Sequence, residues 1–575
     1  MRNRQVARLL DSIADALEIR GEGRFRTNAY REAARNIENL PGDIEEIWRE
    51  EKLEDIPGVG KSIASKISQY LESGHSLYLE EISRALPTGL TEILGIPGLG
   101  PKKARILHDR LGVSSVEELV AAAQRHEIQK IKGMGAKSEA NILKGIERFR
   151  QSGKRLLLGE AWPLADQVAR MLSECPWISA ISPAGSIRRR AETIGDIDVL
   201  AASSEPEKAM DAFLSLSIVR EVLMKGPTKS SILTGEGLQI DLRVVAPDSY
   251  GAALQYFTGS KSHNVELRGI AISKGLKLNE YGLFRIDSGA RLAGRNEEEI
   301  YEALGLAWMP PELRESRGEL EAAAEGRLPD LVEIGDLRGD LHSHTDWSDG
   351  RDSLEEMARA AIAHGYQYLA ITDHSHSLGV AHGLDARRVR EQGEQIESLN
   401  KKLAPFKLLH GCEVEILNDG HLDYPDELLA SFDLIGASLH LGMGQSSEKI
   451  TRRILTAFRS RVDILNHPTG RLLNQRPPFE VDLAAVFAAA RKRGIALEVN
   501  GQPSRLDLKD IDARRARDLG IPLALDTDSH QSGGLDAMRY AVATARRGWV
   551  EKKDVINTLD LDQLLQYLGR ERKAA

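Results

Sequence analysis

Two short stretches of this sequence hold side chains whose types and spacing suit metal-ion chemistry. In "GDIDVL", Asp196 and Asp198 lie two residues apart within an apolar run. In "GDLHSHTDWSDG", His342 and His344 have the same spacing and are accompanied by aspartates. Side chains two residues apart in a strand point to one face of a sheet, so each pair can bind a cation together. The spacing therefore predicts two separate metal sites in one chain.

A third carboxylate and a Gly-Ser turn complete the first predicted site. Asp241 lies in a second apolar run, "LQIDLRVV", and three carboxylates can share two divalent cations. Gly185 and Ser186 precede the first pair, and a turn that enters a helix there can present N–H groups and a hydroxyl to a triphosphate. An Asp-x-Asp pair alone is often only a solvated strand end. The combination favours Mg²⁺-dependent chemistry on a nucleotide phosphate.

Further side chains that commonly bind metals follow predicted strands in the second half of the chain. They are Asp349, His374, Glu413, His440, His467, Asp528 and His530. Together with the first histidine pair they make nine candidate ligands, which is too many for one ion. An α/β barrel builds its active site at the carboxyl ends of its strands. Mixed imidazole and carboxylate ligands favour Zn²⁺ or Mn²⁺ over Mg²⁺, although a histidine pair alone could equally lie on the surface.

Length and composition bound the class of protein. With 575 residues the chain is too long for one hydrophobic core, so several domains are expected. We expect no membrane span and no export leader, and the two distant cysteines, Cys175 and Cys412, fit a cytoplasmic protein without disulfides. The net charge of −9 argues mildly against nucleic acid. However, residues 1–155 hold 26 Lys and Arg against 23 Asp and Glu, so the acidic excess lies elsewhere.

The beginning of the chain consists of short amphipathic helix patterns with a turn that recurs three times. Each copy is an apolar residue, Gly-x-Gly, a nearby basic residue and a helix pattern, as in "IPGVGKSIASKI", "IPGLGPKKARIL" and "IKGMGAKSEANIL". The glycine pairs are Gly58 and Gly60, Gly98 and Gly100, and Gly133 and Gly135. Glycine permits positive φ, and the N–H groups that follow can hold a phosphate oxygen. One copy could be a plain helix–helix turn, whereas three favour helix-hairpin-helix DNA binding.

The runs "GSIRRRAETIGDIDVL", "YFTGSKSHNVELR" and "LNEYGLF" resemble the polymerase core of the family X DNA polymerases, to which DNA polymerase beta belongs. The resemblance covers about the first 315 residues. It implies that Asp196, Asp198 and Asp241 hold two Mg²⁺ ions. It also implies that Ser186 and Arg189 contact the triphosphate and that Tyr256, Phe257 and Gly259 line the sugar pocket. Asn264 and Arg268 would face the nascent base pair. Arg190 departs from the pattern, because it stands where glycine is expected.

The same resemblance raises lyase chemistry in the first hairpin. Lys66 falls where the beta-type enzymes carry the amine that forms a Schiff base with an abasic sugar, and Arg26 and Tyr30 match the companion phosphate-binding region. A lysine is a nucleophile only when desolvation or nearby cations depress its pKa. Ser62 stands where a second lysine is expected. Lyase activity and simple phosphate binding by Lys66 both stay open.

The order of ligand motifs after residue 337 resembles the PHP (polymerase and histidinol phosphatase) domain, a distorted seven-unit α/β barrel that usually holds three metals. All nine ligand positions are filled, which indicates an active domain with Mn²⁺ or Zn²⁺. The two halves together are similar to the bacterial and archaeal family X polymerases with a fused PHP domain. That resemblance implies 3′–5′ exonuclease, abasic-site endonuclease and 3′-phosphatase-type activities. The residues alone support phosphoester hydrolysis.

The predicted fold is multidomain, with α-helical helix-hairpin-helix domains, an α+β nucleotidyltransferase palm with a thumb, and a C-terminal distorted (β/α)7 PHP barrel. The expected segments are 1–85, helical and lyase-like with a helix-hairpin-helix; 86–152, a fingers-like helix-hairpin-helix domain; 153–248, the palm; 249–315, a thumb-like nucleotide-selection domain; 316–336, a linker; and 337–575, the PHP domain.

The leading functional prediction is a monomeric polymerase that fills short gaps during DNA repair and carries its own nuclease. Its expected partners are gapped or nicked duplex DNA and deoxynucleoside triphosphates. No association with a membrane is expected. One alternative is a DNA-end-binding polymerase whose barrel is mainly structural. Another is a nucleotidyltransferase that acts on RNA or a small molecule and is fused to a phosphatase.

Overall fold

The computed structural model describes residues 2–20, 22–38, 40, 44–73, 76–84, 93, 96, 99, 101–131, 133–136, 138–143, 146 and 155–569. The chain forms two compact units, Met1–Arg155 and Leu156–Ala575. Within the described ranges, every helix is too short or too polar to span a bilayer. Of the predicted hairpin glycines, Gly98 and Gly100 lie outside the described residues.

The first unit is helical, as its amphipathic patterns predict. Its described helices are α1 (Arg2–Ile19), α2 (Arg24–Glu38), α3 (Ile44–Arg49), α4 (Lys61–Ser73), α5 (Leu77–Arg84), α6 (Pro101–Leu111) and α7 (Val116–Gln124). Leu10 and Ile13 of α1 are fully buried against Ile37 and Ile67. A second apolar cluster centres on Leu107 and other residues of the later helices. Each cluster supports its own group of helices.

The hairpins share one backbone hydrogen-bond pattern. In the first, the N–H of Val59 donates to the Ile56 carbonyl and the N–H of Ile63 donates to the Gly60 carbonyl. In the third, the same bonds run from Met134 to Ile131 and from Ser138 to Gly135. The first glycine of each pair has positive φ, +78° at Gly58 and +94° at Gly133, which a larger residue rarely adopts. The described bond from Leu99 to Ile96 shows the same spacing in the second copy.

The second unit begins with an α+β region built on a five-stranded sheet. Its elements are β1 (Leu156–Leu157), α8 (Leu158–Ser173), β2 (Ile178–Pro183), α9 (Gly185–Arg188), β3 (Thr193–Ile194), β4 (Ile197–Ser203), α10 (Pro206–Leu214), β5 (Val219–Lys225), β6 (Lys229–Thr234) and β7 (Gln239–Val245). The strand order is β2-β4-β7-β6-β5, with β4 and β7 parallel. Val168 of α8 and Phe213 of α10 are fully buried in the same cluster as Leu242 of β7. The helices therefore cover the sheet that carries the acidic motifs.

A small helical and antiparallel region follows. It contains α11 (Tyr250–Thr258), α12 (Lys261–Ser273), β8 (Leu276–Asn279), β9 (Gly282–Arg285), β10 (Arg291–Ala293), α13 (Glu297–Ala303) and α14 (Glu319–Ala324). Arg314 is fully buried and donates to both carboxylate oxygens of Glu297. In the segment 316–336, expected as a linker, Glu319 is buried 2.8 Å from Nδ1 of His263, and Val332 is also buried. Buried residues of the segment therefore pack into the second unit, while residues 324–327 and 333–335 are exposed.

The rest of the second unit is a seven-stranded parallel barrel. Its strands are β11 (Gly339–Asp340), β12 (Tyr368–Ile371), β13 (Lys407–Glu415), β14 (Leu434–Ser438), β15 (Ile464–Leu465), β16 (Ala496–Asn500) and β17 (Leu523–Asp526). The helices are α15 (Leu354–Ala363), α16 (Ala386–Leu403), α17 (Asp426–Leu429), α18 (Ser447–Ala457), α19 (Leu483–Arg493), α20 (Asp510–Asp518), α21 (Met538–Arg547) and α22 (Leu561–Leu568).

Each barrel strand pairs in parallel with the next one along the chain, from β11 to β17. A parallel bridge between Ser343 and Ser529 links the two ends, so the barrel is nearly closed. Leu409, Ile464 and Ala524 fill the interior, while a larger apolar layer lies beneath the helices. The predicted fold class is thus confirmed, whereas the domain boundaries taken from the sequence stay predictions.

Candidate active sites

Three aspartates lie close together at the start of two central strands of the five-stranded sheet, β4 and β7. Because β4 and β7 are parallel neighbours, Asp198 lies directly opposite Asp241. Asp196 is exposed and lies just before β4, which begins at Ile197 rather than including the whole motif. Burial, together with the charges of Asp196 and Asp241, raises the pKa of Asp198 to about 6. Divalent cations relieve such repulsion, so this carboxylate set fits Mg²⁺.

Two neighbours shape this carboxylate cluster. Nζ of Lys229 lies 2.5 Å from Oδ2 of Asp241. Burial alone would raise the pKa of Asp241, but hydrogen bonds, first of all from Lys229, hold it below its usual value. On the other side, a Cβ at Gly185 would lie 2.6 Å from Oδ2 of Asp198. Any side chain at residue 185 would therefore displace that carboxylate. No motif in the sequence marked Lys229.

The guanidinium of Arg189 is held from two directions. Its Nε donates to Oε1 of Glu315 at 3.0 Å, and its Nη1 donates to the Thr258 carbonyl at 2.5 Å. Its Nη2 makes no hydrogen bond to any residue that the structure describes. The N–H groups of Nη2 are therefore available to donate to an anionic ligand. Ser186, the other predicted triphosphate contact, is half-buried in the short helix α9.

The remaining residues predicted around the nucleotide lie at the junction of α11 and α12. Tyr256 and Phe257 stand edge to face, with ring centroids 5.1 Å apart. Gly259 has a φ of +71°, and a Cβ there would lie 3.2 Å from Nη1 of Arg189. Asn264 donates to the Tyr256 carbonyl at 2.7 Å, and Nε of Arg268 donates to the Asn264 carbonyl at 3.0 Å. The structure thus brings these five residues together.

Arg190, at the position where the resemblance expects glycine, has a φ of +56°. That left-handed conformation is one that glycine adopts without strain, so the backbone at this position would suit the expected glycine. The Arg190 guanidinium lies 3.3 Å from the centre of the Trp162 ring. This distance is that of a cation–π contact.

The three residues predicted for lyase chemistry meet around a tyrosine that the sequence did not single out. Nζ of Lys66 lies 4.5 Å from the centre of the Tyr78 ring and 6.0 Å from that of Tyr30. Arg26 donates to the Tyr78 hydroxyl at 2.9 Å. Partial burial lowers the pKa of Lys66, and the Arg26 charge acts in the same direction. Nζ of Lys66 also donates to the hydroxyl of Ser62 at 2.9 Å.

All nine ligand candidates of the second site converge at the carboxyl ends of the barrel strands. Groups whose ligand atoms lie within 4.8 Å of one another are His344, Asp349, His374 and His530; His342, His344 and Glu413; and His374, Glu413 and His440. Asp528 joins them with Oδ1 3.4 Å from Nε2 of His344, and His467 joins with Nε2 2.8 Å from Oε1 of Glu413. The two histidines predicted on a strand, His342 and His344, lie just beyond the two-residue β11.

Glu413 lies at the centre of this cluster. Its carboxylate oxygens are 3.4 Å from Nε2 of His342, 3.0 Å from Nδ1 of His374 and 3.6 Å from Nε2 of His440. Burial would raise the pKa of Glu413, but the surrounding imidazoles hold it well below its usual value. A buried, ionised carboxylate that belongs to two of these ligand groups would help to hold a cation in either of them.

Several ring nitrogens of the cluster suit a metal ligand. Burial and the charge of His374 lower the pKa of His344 to about 3, and burial with Arg505 lowers that of His467 to about 3. Both imidazoles are therefore neutral, which is the form that binds metals. Nδ1 of each is buried and has no hydrogen-bond partner within the described part of the chain. The donor set fits Mn²⁺ or Zn²⁺.

Three supporting residues of this site were missed from the sequence. Oε2 of Glu415 lies 2.9 Å from Nδ1 of His440, and Oε1 of Glu498 lies 2.6 Å from Nδ1 of His342. Such carboxylates fix the ring orientation of a ligating histidine. Nε of Arg505 lies 3.2 Å from Oδ2 of Asp528 and brings positive charge to the cluster. The i, i+2 spacing of Glu415 after Glu413 was a usable signal.

Comparison with known families agrees with this layout. Residues 1–76 match the family described as helix-hairpin-helix domain, and residues 90–148 match the SAM-like helix-hairpin-helix tandem. Residues 253–315 match the DNA polymerase beta thumb, and residues 340–501 match the PHP domain.

The chain is also similar to individual proteins, over all or part of its length. It is 38% identical over 573 residues, 99% of this chain and 100% of the relative, to the DNA polymerase/3′-5′ exonuclease PolX of Bacillus subtilis (strain 168). It is 25% identical to DNA polymerase lambda of Rattus norvegicus, over 54% of this chain and 56% of that protein. A "Probable phosphatase" of Thermoanaerobacter sp. (strain X514) is 28% identical over 41% of this chain and 95% of its own length. The chain therefore belongs to the family X DNA polymerases that carry a C-terminal PHP domain.

Proposed function

We propose that this protein is a DNA-directed DNA polymerase that fills short gaps during DNA repair and whose PHP barrel hydrolyses phosphoesters at 3′ ends. The observation that carries the proposal is the presence of two separate clusters of metal-ligand side chains in one chain, one on the palm sheet and one in the barrel. Similarity over the full length to a polymerase that is also named a 3′-5′ exonuclease supports both activities.

In the polymerase site, Asp196, Asp198 and Asp241 would hold two Mg²⁺ ions. Such ions, when bound, lower the pKa of the attacking 3′-hydroxyl and neutralise charge on the leaving pyrophosphate. The protein's own task is then to hold and orient the nucleotide. The free Nη2 of Arg189 and the hydroxyl of Ser186 face the triphosphate in this proposal.

The junction of α11 and α12 would select the nucleotide. In this proposal Tyr256, Phe257 and Gly259 line the sugar pocket. Gly259 approaches Arg189 closely, so a larger residue at position 259 would reduce the room beside the triphosphate. Asn264 and Arg268, one helical turn apart on α12, face the nascent base pair and the template minor groove. The rigid hydrogen bond from Asn264 to the Tyr256 carbonyl couples the two parts.

In the barrel, the nine imidazole and carboxylate side chains would hold three ions, Mn²⁺ or Zn²⁺. Such ions, when bound, activate water and stabilise the charge that develops on the phosphate. Glu415 and Glu498 keep His440 and His342 in one orientation. Arg505, beside Asp528, places a cation where a phosphate oxygen can be bound. Exonuclease, abasic-site endonuclease and 3′-phosphatase activity would all use this one set of metal ligands.

The glycine turns of the N-terminal unit would hold the DNA backbone. Gly58 and Gly60, with Gly133 and Gly135, form two described hairpins whose following N–H groups can bind phosphate oxygens. Their repetition favours duplex DNA with a gap or nick as the substrate. We also propose that the protein is a monomer and that it is cytoplasmic, and its two free cysteines agree with the second point.

The proposal is tested with a labelled duplex that carries a one-nucleotide gap. With deoxynucleoside triphosphates and Mg²⁺, the primer is expected to grow by one residue; without them, in Mn²⁺, it is expected to shorten from its 3′ end. A protein that binds the duplex and extends it but never shortens it has a mainly structural barrel. A protein that neither binds nor extends the duplex acts on another substrate, which overturns the proposal.

Lys66 provides a separate test of lyase activity. Its amine would add to the aldehyde carbon of an abasic sugar and release water, and borohydride would trap the resulting Schiff base. Because Lys66 is partly buried and its pKa is lowered, Lys66→Ala is expected to reduce the trapped adduct to background.

The exposed Lys61, at the start of the same helix, gives the matched control, and Lys61→Ala is expected to keep the adduct. An unchanged adduct in Lys66→Ala would assign phosphate binding, rather than nucleophilic attack, to this residue. Duplex binding measured in parallel separates the two roles.

A further inference from the structure

The barrel packs directly against the polymerase part of the second unit, and one contact reaches the nucleotide site. Tyr540 of α21 stands edge to face with Trp162 of α8, with ring centroids 5.7 Å apart. Arg547, the last residue of α21, is nearly buried in the same interface. This arginine belongs to the PHP barrel, yet its side chain ends beside the backbone of Arg189.

Arg547 uses every nitrogen of its guanidinium. Its Nε and Nη2 both approach Oδ2 of Asp510, at 3.0 and 2.9 Å. Its Nη1 donates to the carbonyl of Arg189 at 2.6 Å and to Oε1 of Glu315 at 2.9 Å. Asp510 is held in turn by Arg317, 3.0 Å away. The planar fork of arginine is therefore fixed on the barrel side and points toward the polymerase site.

The same oxygen of Glu315 also accepts from Arg189. Oε1 lies 2.9 Å from Nη1 of Arg547 and 3.0 Å from Nε of Arg189, so one carboxylate oxygen joins the two arginines. Burial would raise the pKa of Glu315, but Arg547 and Arg189 lower it to about 2. Glu315 is therefore ionised throughout the neutral range, and the chain from Asp510 to Arg189 is a continuous network of charged hydrogen bonds.

We propose that Arg547 of the PHP barrel is a positioning residue for nucleotide insertion, because through Glu315 and the Arg189 carbonyl it fixes the guanidinium that binds the triphosphate. The inference rests on the proposed role of Arg189. It makes the barrel part of the support for the polymerase site, in addition to its own hydrolytic chemistry. Without Arg547, Glu315 keeps Arg189 as its neighbour but loses its anchor to the barrel.

Arg547→Gln and Arg547→Lys test this inference. Gln cannot span Asp510, Glu315 and the Arg189 carbonyl, and a lysine ammonium keeps the charge without the fork. A misplaced binding group costs up to about 100-fold, so we expect the KM for the incoming nucleotide to rise by about 10-fold or more in Arg547→Gln. Arg547→Lys is expected to give a smaller rise. Affinity for gapped duplex without nucleotide, and hydrolysis from a 3′ end, should stay as in the unchanged protein.

Arg546 provides a matched control on the same helix. Its Nε donates to Glu312 at 2.9 Å and its Nη1 to the Val332 carbonyl at 3.2 Å, so it crosses the same interface without touching Arg189 or Glu315. Arg546→Gln is expected to leave the nucleotide KM unchanged. If Arg546→Gln and Arg547→Gln raise the KM equally, the interface acts only as a scaffold and the proposal is wrong.

Glu315→Gln is the second variant, for the case in which Arg547→Gln does not fold. It keeps the shape of the side chain and leaves the contacts between Arg547 and Asp510 in place. We expect the same rise in nucleotide KM, and an unchanged KM would overturn the inference. Failure of the unchanged protein to insert any nucleotide would instead refute the proposed function itself.

Discussion

Replacing Asp241 by Asn is expected to abolish nucleotide insertion while hydrolysis from a 3′ end continues. Asp241 lies opposite Asp198 in the β4–β7 pair, so the substitution removes one carboxylate from the cluster that would hold Mg²⁺. Loss of several kcal/mol of charge stabilisation corresponds to a fall of roughly 10³-fold or more in rate. Single-nucleotide insertion into a gapped duplex and release of labelled nucleotide in Mn²⁺ are measured side by side.

Asp211 supplies the control for that experiment. It lies on the same α+β region, is largely exposed and pairs with Lys225 at 2.7 Å, outside the carboxylate cluster. Asp211→Asn is expected to insert nucleotides at the normal rate. Parallel loss of insertion and hydrolysis in Asp241→Asn would show that the two reactions share one site, against the division into two clusters.

The second large effect is expected for His440→Ala in the barrel. Nε2 of His440 lies 3.6 Å from Glu413 and its Nδ1 is oriented by Glu415, so the substitution removes one imidazole from the ligand set. Since even supporting residues of metal sites commonly contribute 10- to 100-fold, we expect hydrolysis to fall by about 100-fold or more. Nucleotide insertion should continue, because the aspartate cluster is on another sheet.

A barrel that is mainly structural predicts a different outcome. In that case the unchanged protein would show little hydrolysis, and His440→Ala would lower the melting temperature. His421 gives a matched histidine control, since its side chain is 73% exposed and pairs with Asp419 at the barrel surface. Equal hydrolysis in His440→Ala and His421→Ala would remove His440 from the active set.

The ligand types of both clusters could be predicted from the sequence because they follow apolar strand patterns. Strand periodicity predicts that Asp196 and Asp198 share one face of an apolar strand and that Asp241 lies in a second strand. Because an α/β barrel builds its active site at the carboxyl ends of its strands, the nine imidazole and carboxylate residues are expected at one end of the barrel. The parallel register that sets Asp198 against Asp241 could not be derived, since it depends on the order of strands in the folded sheet.

Apart from Glu415, the residues that support these clusters carried no local signal. Glu498 orients His342 from 156 positions away, and Arg547 reaches the Arg189 carbonyl across 358 positions. Such contacts depend on how whole layers pack, and one sequence does not encode them in any short motif. The contact between the buried Glu319, within the charged segment 316–336, and His263 is of the same kind.

The most direct test of the two-cluster account is anomalous X-ray diffraction at the manganese edge from crystals of the full chain grown with Mn²⁺. The account predicts anomalous peaks at two separate places, one among Asp196, Asp198 and Asp241 and another around Glu413 among the barrel histidines. Peaks confined to one cluster, or on the protein surface away from both, would contradict it.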